Sequence, residues 1–294
     1  MKRAIINEEF LQQVEALQTL IKNNVAGLFG GTHKSKTFGS SCEFSDYRDY
    51  VPGDDITKID WNAYARFDKL YEKLFYDDRQ MHTRIYVDTS RSMAHGANEK
   101  GASAIRLAAA LAYLSVCDMD RVSVLGISDS RVTPMMEGVV GKESFYNEVG
   151  KLNLVTFDGA SFISDAIMPE DVGYGDGLSV IISDFLTDAD YESAINHLVS
   201  KRRQVLCIQI LTEEELDPTL RGRVHLFDSE DASLTYRKNI DREIAEAYRA
   251  AVKHVTDRIA GFCHSRGAEY LLIKDSEDLG EIIFGKLFNL GVLK

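Results

Sequence analysis

The chain has 294 residues, 45% of them hydrophobic, and 46 Asp and Glu against 34 Lys and Arg, for a formal net charge of −12. That length holds one large or two modest domains with enough apolar content for a core, and the acidic balance excludes a nucleic-acid backbone as the main partner, because no surplus of cations exists to neutralise phosphates. No stretch approaches the ~20 apolar residues of a membrane-spanning helix, the acids Glu8 and Glu9 interrupt any leader-like start, and Cys42, Cys117, Cys207 and Cys263 lie far apart without a Cys-x-x-Cys pair. The expectation is a cytoplasmic protein with reduced thiols and no direct membrane insertion.

In chain order, Phe10, Leu11, Val14, Leu17, Leu20 and Ile21 recur at helical spacing and predict a helix over about 7–22, with Asn7 as N-cap and the acids in the first turn. The segment from Gly30 to Arg79 has little periodicity. It reads as a loop-rich layer held by Arg–Asp pairs around the single Trp61, with Pro52-Gly53 as a turn and Arg48 and Asp60 as a buried pair. The Tyr47–Asp55 stretch either faces a partner or fixes this layer. His33 has no second His or Cys at ligand spacing, which leaves it a hydrogen-bonding loop residue.

From Thr83 onward the chain alternates as an α/β protein should. Strands are expected at 83–87, 121–128, 179–183, 204–211 and 269–273, with a short edge strand at 131–136. Helices are expected at 102–116, 188–198, 240–264 and 278–290, with Arg266-Gly267 ending the third. Gly173-Tyr174-Gly175-Asp176-Gly177 lacks the Lys-Ser/Thr of a phosphate loop and precedes a strand, so it is a connection.

The chemistry lies at strand ends. Asp88-Thr89-Ser90-Arg91-Ser92 follows the apolar Ile85-Tyr86-Val87 and places one carboxylate and two hydroxyls on a turn at a strand's C-terminal end. Ligands bind at that end in open α/β sheets. Oxygen donors of this kind suit a hard cation such as Mg²⁺; alone, the pattern also reads as an Asx turn. Two further pieces follow: Gly159-Ala160-Ser161, and Val180-Ile181-Ile182-Ser183-Asp184, an apolar run ending in an acid. Between Lys151 and Lys201 there are acids but no Lys or Arg, a field that either concentrates cations and basic surfaces or is simply a solvated face.

These pieces resemble the metal-ion-dependent adhesion site of the von Willebrand factor A (vWA) fold. Carried over, Ser90 and Ser92 ligate the ion directly, Asp88 and Asp184 contact it directly or through water, and Ser161 supplies a loop hydroxyl. That family usually has Thr at the last position, and Ser161 keeps the oxygen with a freer χ1. Upstream, Gly-x-His-x-Ser, Glu-Phe-x-x-Tyr-Arg-x-Tyr-x-Pro-Gly-Asp-Asp and Ile-Asp-Trp-x-x-x-Ala-Arg resemble the signature of the bacterial "domain of unknown function 58" family, in which a vWA-like domain follows.

The resemblance implies a vWA-like, Rossmann-like open sheet, mostly parallel with an antiparallel edge and helices on both faces. Residues 1–80 would form a helix-and-signature layer packed on a vWA-like domain of residues 81–294, with Asp88 and Asp184 on adjacent central strands. It further implies a non-enzymatic, metal-dependent adaptor or co-chaperone of a MoxR-type AAA+ ATPase. Its ion, Mg²⁺ with Mn²⁺ or Ca²⁺ as alternatives, would take an acidic side chain of a protein partner. The rival is a Mg-dependent, phosphatase-like hydrolase using Asp88. Against it, Ser90 stands where such enzymes carry their general acid, and a hydroxyl cannot do that work near neutral pH. A Ser-hydrolase elbow is also missing from the sequence.

Overall fold

The computed structural model describes residues 4–25, 35–38, 44–77, 81–94, 100–175, 177–219, 222–227, 235–288 and 290. His33, Cys42, Arg79, Asp176 and the Gly30–Lys34 part of the signature lie outside the described residues. The chain forms two units: residues 24–80, and residues 1–23 together with 81–293.

In the larger unit, helix α1 (Glu8–Val25) is set by Asn7, whose Oδ1 accepts from the Phe10 amide at 2.8 Å. Its apolar face buries Phe10 and Val14, with Ile6 just before it, in the core of this unit. The helix therefore divides from the signature segment that follows, where a single 1–80 layer was expected.

The smaller unit carries β1 (Ser35–Phe38), β2 (Phe44–Asp49), α2 (Trp61–Phe67) and β3 (Tyr71–Asp77). Its strands form an antiparallel sheet in the order β1-β3-β2, where sequence reading expects loops. Asp60 caps α2 through the Asn62 and Ala63 amides and accepts a hydrogen bond from the Tyr47 hydroxyl at 2.8 Å. The expected Arg48–Asp60 pair does not form. Register places Arg48 opposite Glu72 across the ladder, and the guanidinium binds Glu72 at 2.6 Å and Asp54 at 2.8 Å. Trp61, expected at the centre of this layer, is 62% exposed.

The larger unit is built on β4 (His82–Asp88), α3 (Lys100–Cys117), β5 (Arg121–Ser128), β6 (Arg131–Val140), α4 (Gly141–Glu148) and α5 (Ile163–Ile167). It continues through β7 (Leu178–Ser183), α6 (Glu192–Ser200), β8 (Gln204–Leu211) and α7 (Glu213–Leu216). A hairpin follows, β9 (Gly222–Phe227) with β10 (Thr235–Ile240), then α8 (Arg242–Ser265), β11 (Glu269–Lys274) and a π-helical turn at Glu281–Leu287. The main sheet runs β11-β8-β7-β4-β5-β6, parallel except for β6. β6 is an edge strand that tolerates Pro134, which has no amide hydrogen to donate. This is the open, mostly parallel α/β sheet expected from the sequence.

Alternation along the strands sends side chains to two cores, one on each face. Ile85, Val87, Val180, Ile182, Leu206 and Ile208 pack with α1, α3 and the terminal turn. Tyr86, Ile127, Ile181 and Cys207 pack with α5, α6 and α8. At about 1.5–3 kcal/mol for each fully buried large aliphatic side chain, these faces fix the register of the central strands. α3 is long and apolar enough to cross a membrane by length and composition, which the sequence reading did not anticipate. In this fold it lies largely buried against the sheet.

Chain direction matters for the site. After β4 the sheet grows to one side through β5 and β6, and from β7 it grows to the other through β8 and β11. The carboxyl ends of β4 and β7 therefore flank the topological switch point, where open α/β sheets bind ligands.

Candidate functional site

Asp88 is the last residue of β4, and Ser183 and Asp184 stand at the end of the neighbouring β7, which pairs Val87 with Ile182. Asp88, Ser90, Ser161, Ser183 and Asp184 are all buried, and Ser92 is partly so. One Asp88 oxygen, Oδ2, accepts from Ser161 Oγ and from Ser183 Oγ, both at 2.6 Å. The other, Oδ1, accepts from the Ser90 amide at 2.9 Å. Burial, then repulsion from Asp184, raises the Asp88 pKa against the pull of its bonds from Ser161, Ser183 and Ser90.

The loop that supplies Ser161 is pinned on two sides. The Asp158 amide donates to the Thr89 carbonyl at 2.9 Å and the Arg91 amide to the Gly159 carbonyl at 3.0 Å. The Asp129 amide donates to the Ala160 carbonyl at 2.8 Å, while Asp129 Oδ1 accepts from the Ala160 amide at 3.1 Å. Gly159 takes φ +81°, and a Cβ there would lie 2.6 Å from Ser128 Oγ, so glycine is required for this close approach.

After β7, Phe185 is held at φ 51°, a left-handed conformation that costs a bulky residue of order 1–3 kcal/mol. Its amide donates to Ser183 Oγ at 3.0 Å, and the next amide, of Leu186, donates to Asp184 Oδ1 at 3.1 Å. Gln209 of β8 donates to the Asp184 carbonyl at 2.6 Å. Asp184 Oδ2 is taken by Lys100 Nζ at 2.9 Å, and the same ammonium reaches Glu215 Oε1 at 2.7 Å.

Four of the five candidate ligands suit a hard cation. Ser90 Oγ and Ser92 Oγ lie 3.1 Å apart, within hydrogen-bond distance of each other; adjacent oxygens around an octahedral Mg²⁺ at 2.0–2.1 Å are separated by about 2.8–3.0 Å. Ser161 donates its proton to Asp88, which leaves oxygen lone pairs for a cation. A carboxylate has about four acceptor sites, and Asp88 uses three, so one on Oδ1 remains. Asp184 is in place at the adjacent strand end and each of its oxygens keeps an acceptor site, but its charge is already paired with the Lys100 ammonium. Among the described residues no group of three or more His, Cys, Asp or Glu side chains converges, so any cation here depends on the hydroxyls.

Sequence reasoning missed three participants. Ser183 was visible as the hydroxyl that closes the apolar run Val180-Ile181-Ile182. Glu215 was visible as the fourth residue of Thr212-x-x-Glu215, a capping box in which the Thr212 side chain and the Glu215 side chain bond each other's backbone amides. Lys100 carries no local signal, because its partners are 84 and 115 residues away.

Among curated proteins, an uncharacterized protein of Mycobacterium tuberculosis and one of Mycobacterium bovis are each 27% identical over 280 residues, covering 92% of this chain and 86% of the relative. Among solved structures, an aerotolerance-related membrane protein from Bacteroides fragilis is 14% identical with a TM-score of 0.40, over 71% of this chain and 99% of that one. The SpRpn10 VWA domain is 10% identical with a TM-score of 0.38, over 69% and 92%. The family model described as "Protein of unknown function DUF58" matches residues 46–258, from within β2 of the small unit through the strand-end loops of the sheet into α8. With well over half of its length matched, signature and sheet together, the chain belongs to the DUF58 family.

Proposed function

We propose that this protein is a non-enzymatic, metal-dependent protein-interaction module in which Asp88, Ser90, Ser92 and Ser161 hold Mg²⁺ or a similar divalent ion. The observation that carries this reading is the convergence of hydroxyls on one buried carboxylate at the switch point, with Ser90 and Ser92 at the spacing of oxygens that share an ion. Bound there, the ion supplies an electrophilic position that a carboxylate oxygen can fill. The chain's part is to hold the two loops together, through the bonds among residues 88–92, 128–129 and 158–161, and to keep the Ser161 hydroxyl proton turned onto Asp88. An acidic side chain of a protein partner completes the recognition.

The family resemblance supplies the partner: a MoxR-type AAA+ ATPase, for which this chain acts as adaptor or co-chaperone in the cytoplasm. At the site, the hydrolase alternative still lacks a general acid where such enzymes carry one, since Ser90 holds that position. Lys100 is the basic side chain there, and although burial alone would depress its pKa, Asp184 and Glu215 raise it and keep it protonated.

The test is capture of a purified MoxR-type ATPase from the same organism by the immobilised chain, at constant Mg–ATP, for wild type and Ser90→Ala. Capture by wild type and loss in the variant is expected. Equal capture by both would move the docking point away from these loops, and no capture by either would remove the partner.

A further inference from the structure

Lys100 opens α3, directly downstream of the Asp88 loop, and its side chain has no exposed surface. Taking an ammonium out of water costs several kcal/mol unless its partners are well placed. Here they are, and both belong to strand ends. Asp184 follows β7, and Glu215 belongs to the turn after β8, its other oxygen accepting from the Thr212 amide at 2.8 Å. The ammonium therefore ties α3 to two strand ends beside the switch point. It also takes Oδ2 of Asp184, so that the charge of this candidate ligand is already matched by an ammonium.

We propose that Lys100 is the resident cation of Asp184, and that a divalent ion held by Asp88, Ser90, Ser92 and Ser161 competes with the ammonium for this carboxylate and gains its Oδ2 only by displacing it. This rests on the reading of those loops as a cation site. Lys100 then sets the affinity of the site: with the lysine in place the ion binds through Asp88 and hydroxyls alone, and occupancy depends on ion concentration. Release of Lys100 from Asp184 would also leave it to Glu215, so that ion binding is felt at the turn after β8 and at the start of α3.

The test is a double-mutant cycle on Mn²⁺ affinity, measured by isothermal titration calorimetry on the full chain for wild type, Lys100→Met, Asp184→Asn and the Lys100→Met/Asp184→Asn pair. Lys100→Met is expected to tighten Mn²⁺ binding by about tenfold or more, and this gain should largely disappear in the Asp184→Asn background. A gain of the same size in both backgrounds would reduce Lys100 to a diffuse charge effect and overturn the proposal. Unchanged affinity would overturn it too, while leaving the cation site standing. No Mn²⁺ binding by wild type or Lys100→Met would instead overturn the cation site itself. If Lys100→Met unfolds in EDTA, its recovery on adding Mn²⁺ supports displacement; failure to recover, with the double variant folded, contradicts it.

Discussion

Replacing Asp88 by Asn separates a structural hub from a cation ligand. Asp88 holds three donors, the Ser90 amide and the hydroxyls of Ser161 and Ser183. Bonds to a charged acceptor contribute about 1.5–3 kcal/mol each. Against them stand the several kcal/mol needed to bury a carboxylate and the repulsion of Asp184, and the raised pKa of Asp88 says that these costs prevail. An Asn with its oxygen at the Oδ2 place keeps both serine hydroxyls and turns its amide towards the Ser90 N–H. The Ser90 N–H then faces another donor, at a cost of about 1–3 kcal/mol, and relief of the buried charge offsets most of it. The expected net change without metal is within about 1 kcal/mol, or roughly 4 °C in melting temperature for a chain of this size.

The cation response should change far more. Mg²⁺ at a hundred times its dissociation constant stabilises the fold by about 2.7 kcal/mol, a rise of roughly 5–11 °C, and Asp88→Asn should abolish it. Thermal melts of both proteins in EDTA and across a Mg²⁺ series measure both quantities. A variant that melts more than about 10 °C lower in EDTA yet keeps the full Mg²⁺ rise would refute the reasoning.

Two predictions concern the opposite end of β4. Arg203 is buried, and its guanidinium bonds Ser179 Oγ at 2.6 Å and the carbonyls of Leu178, Val172 and His82, with desolvation lowering its pKa to about 10. Arg203→Met strands neutral acceptors, at about 1–3 kcal/mol for each left unsatisfied, and should lower the melting temperature by roughly 4–12 °C; a loss below about 2 °C would contradict the clasp. His82 is held at about 4, below its ordinary 6.5, by burial first and then by Arg84, Arg203 and Arg121. The fold thus prefers neutral His82: the associated stability is complete above pH 6.5 and lost as pH falls from 6.5 towards 4. The ring is only partly enclosed, so solvent screening leaves about 1–2 kcal/mol of this. An NMR titration of the His82 ring should show a midpoint well below 6, and a midpoint near 6.5 would contradict the assignment.

What could be read from sequence follows from how local each signal is. β5 and β8 match their expected bounds because long apolar runs between turn residues can be little else in an α/β chain. Gly267 takes the left-handed φ of +71° that Arg266-Gly267 foretold. Asp88 and Asp184 stand at strand ends because both close apolar runs, whereas the adjacency of those strands was implied by the family resemblance and not by local pattern. The antiparallel sheet of the small unit was missed because β2 is mostly polar and has no period-two apolar pattern, and its pairing with β3 becomes visible only when Arg48 meets Glu72 across the ladder. The β9–β10 hairpin was likewise hidden by its polar strands. Lys100 is the instructive omission: a lysine at the start of a helix reads as solvated, and only closure of the sheet brings Asp184 and Glu215 to it.

The most direct test of the cation site is the number of Mn²⁺ ions bound per chain, from the electron paramagnetic resonance signal of free Mn²⁺ during titration, for wild type and the Ser90→Ala/Ser92→Ala pair. The account predicts one saturable site in the wild type, displaced by Mg²⁺ and absent from the variant. Equal binding by both proteins, or no saturable binding by the wild type or by Lys100→Met, would contradict it.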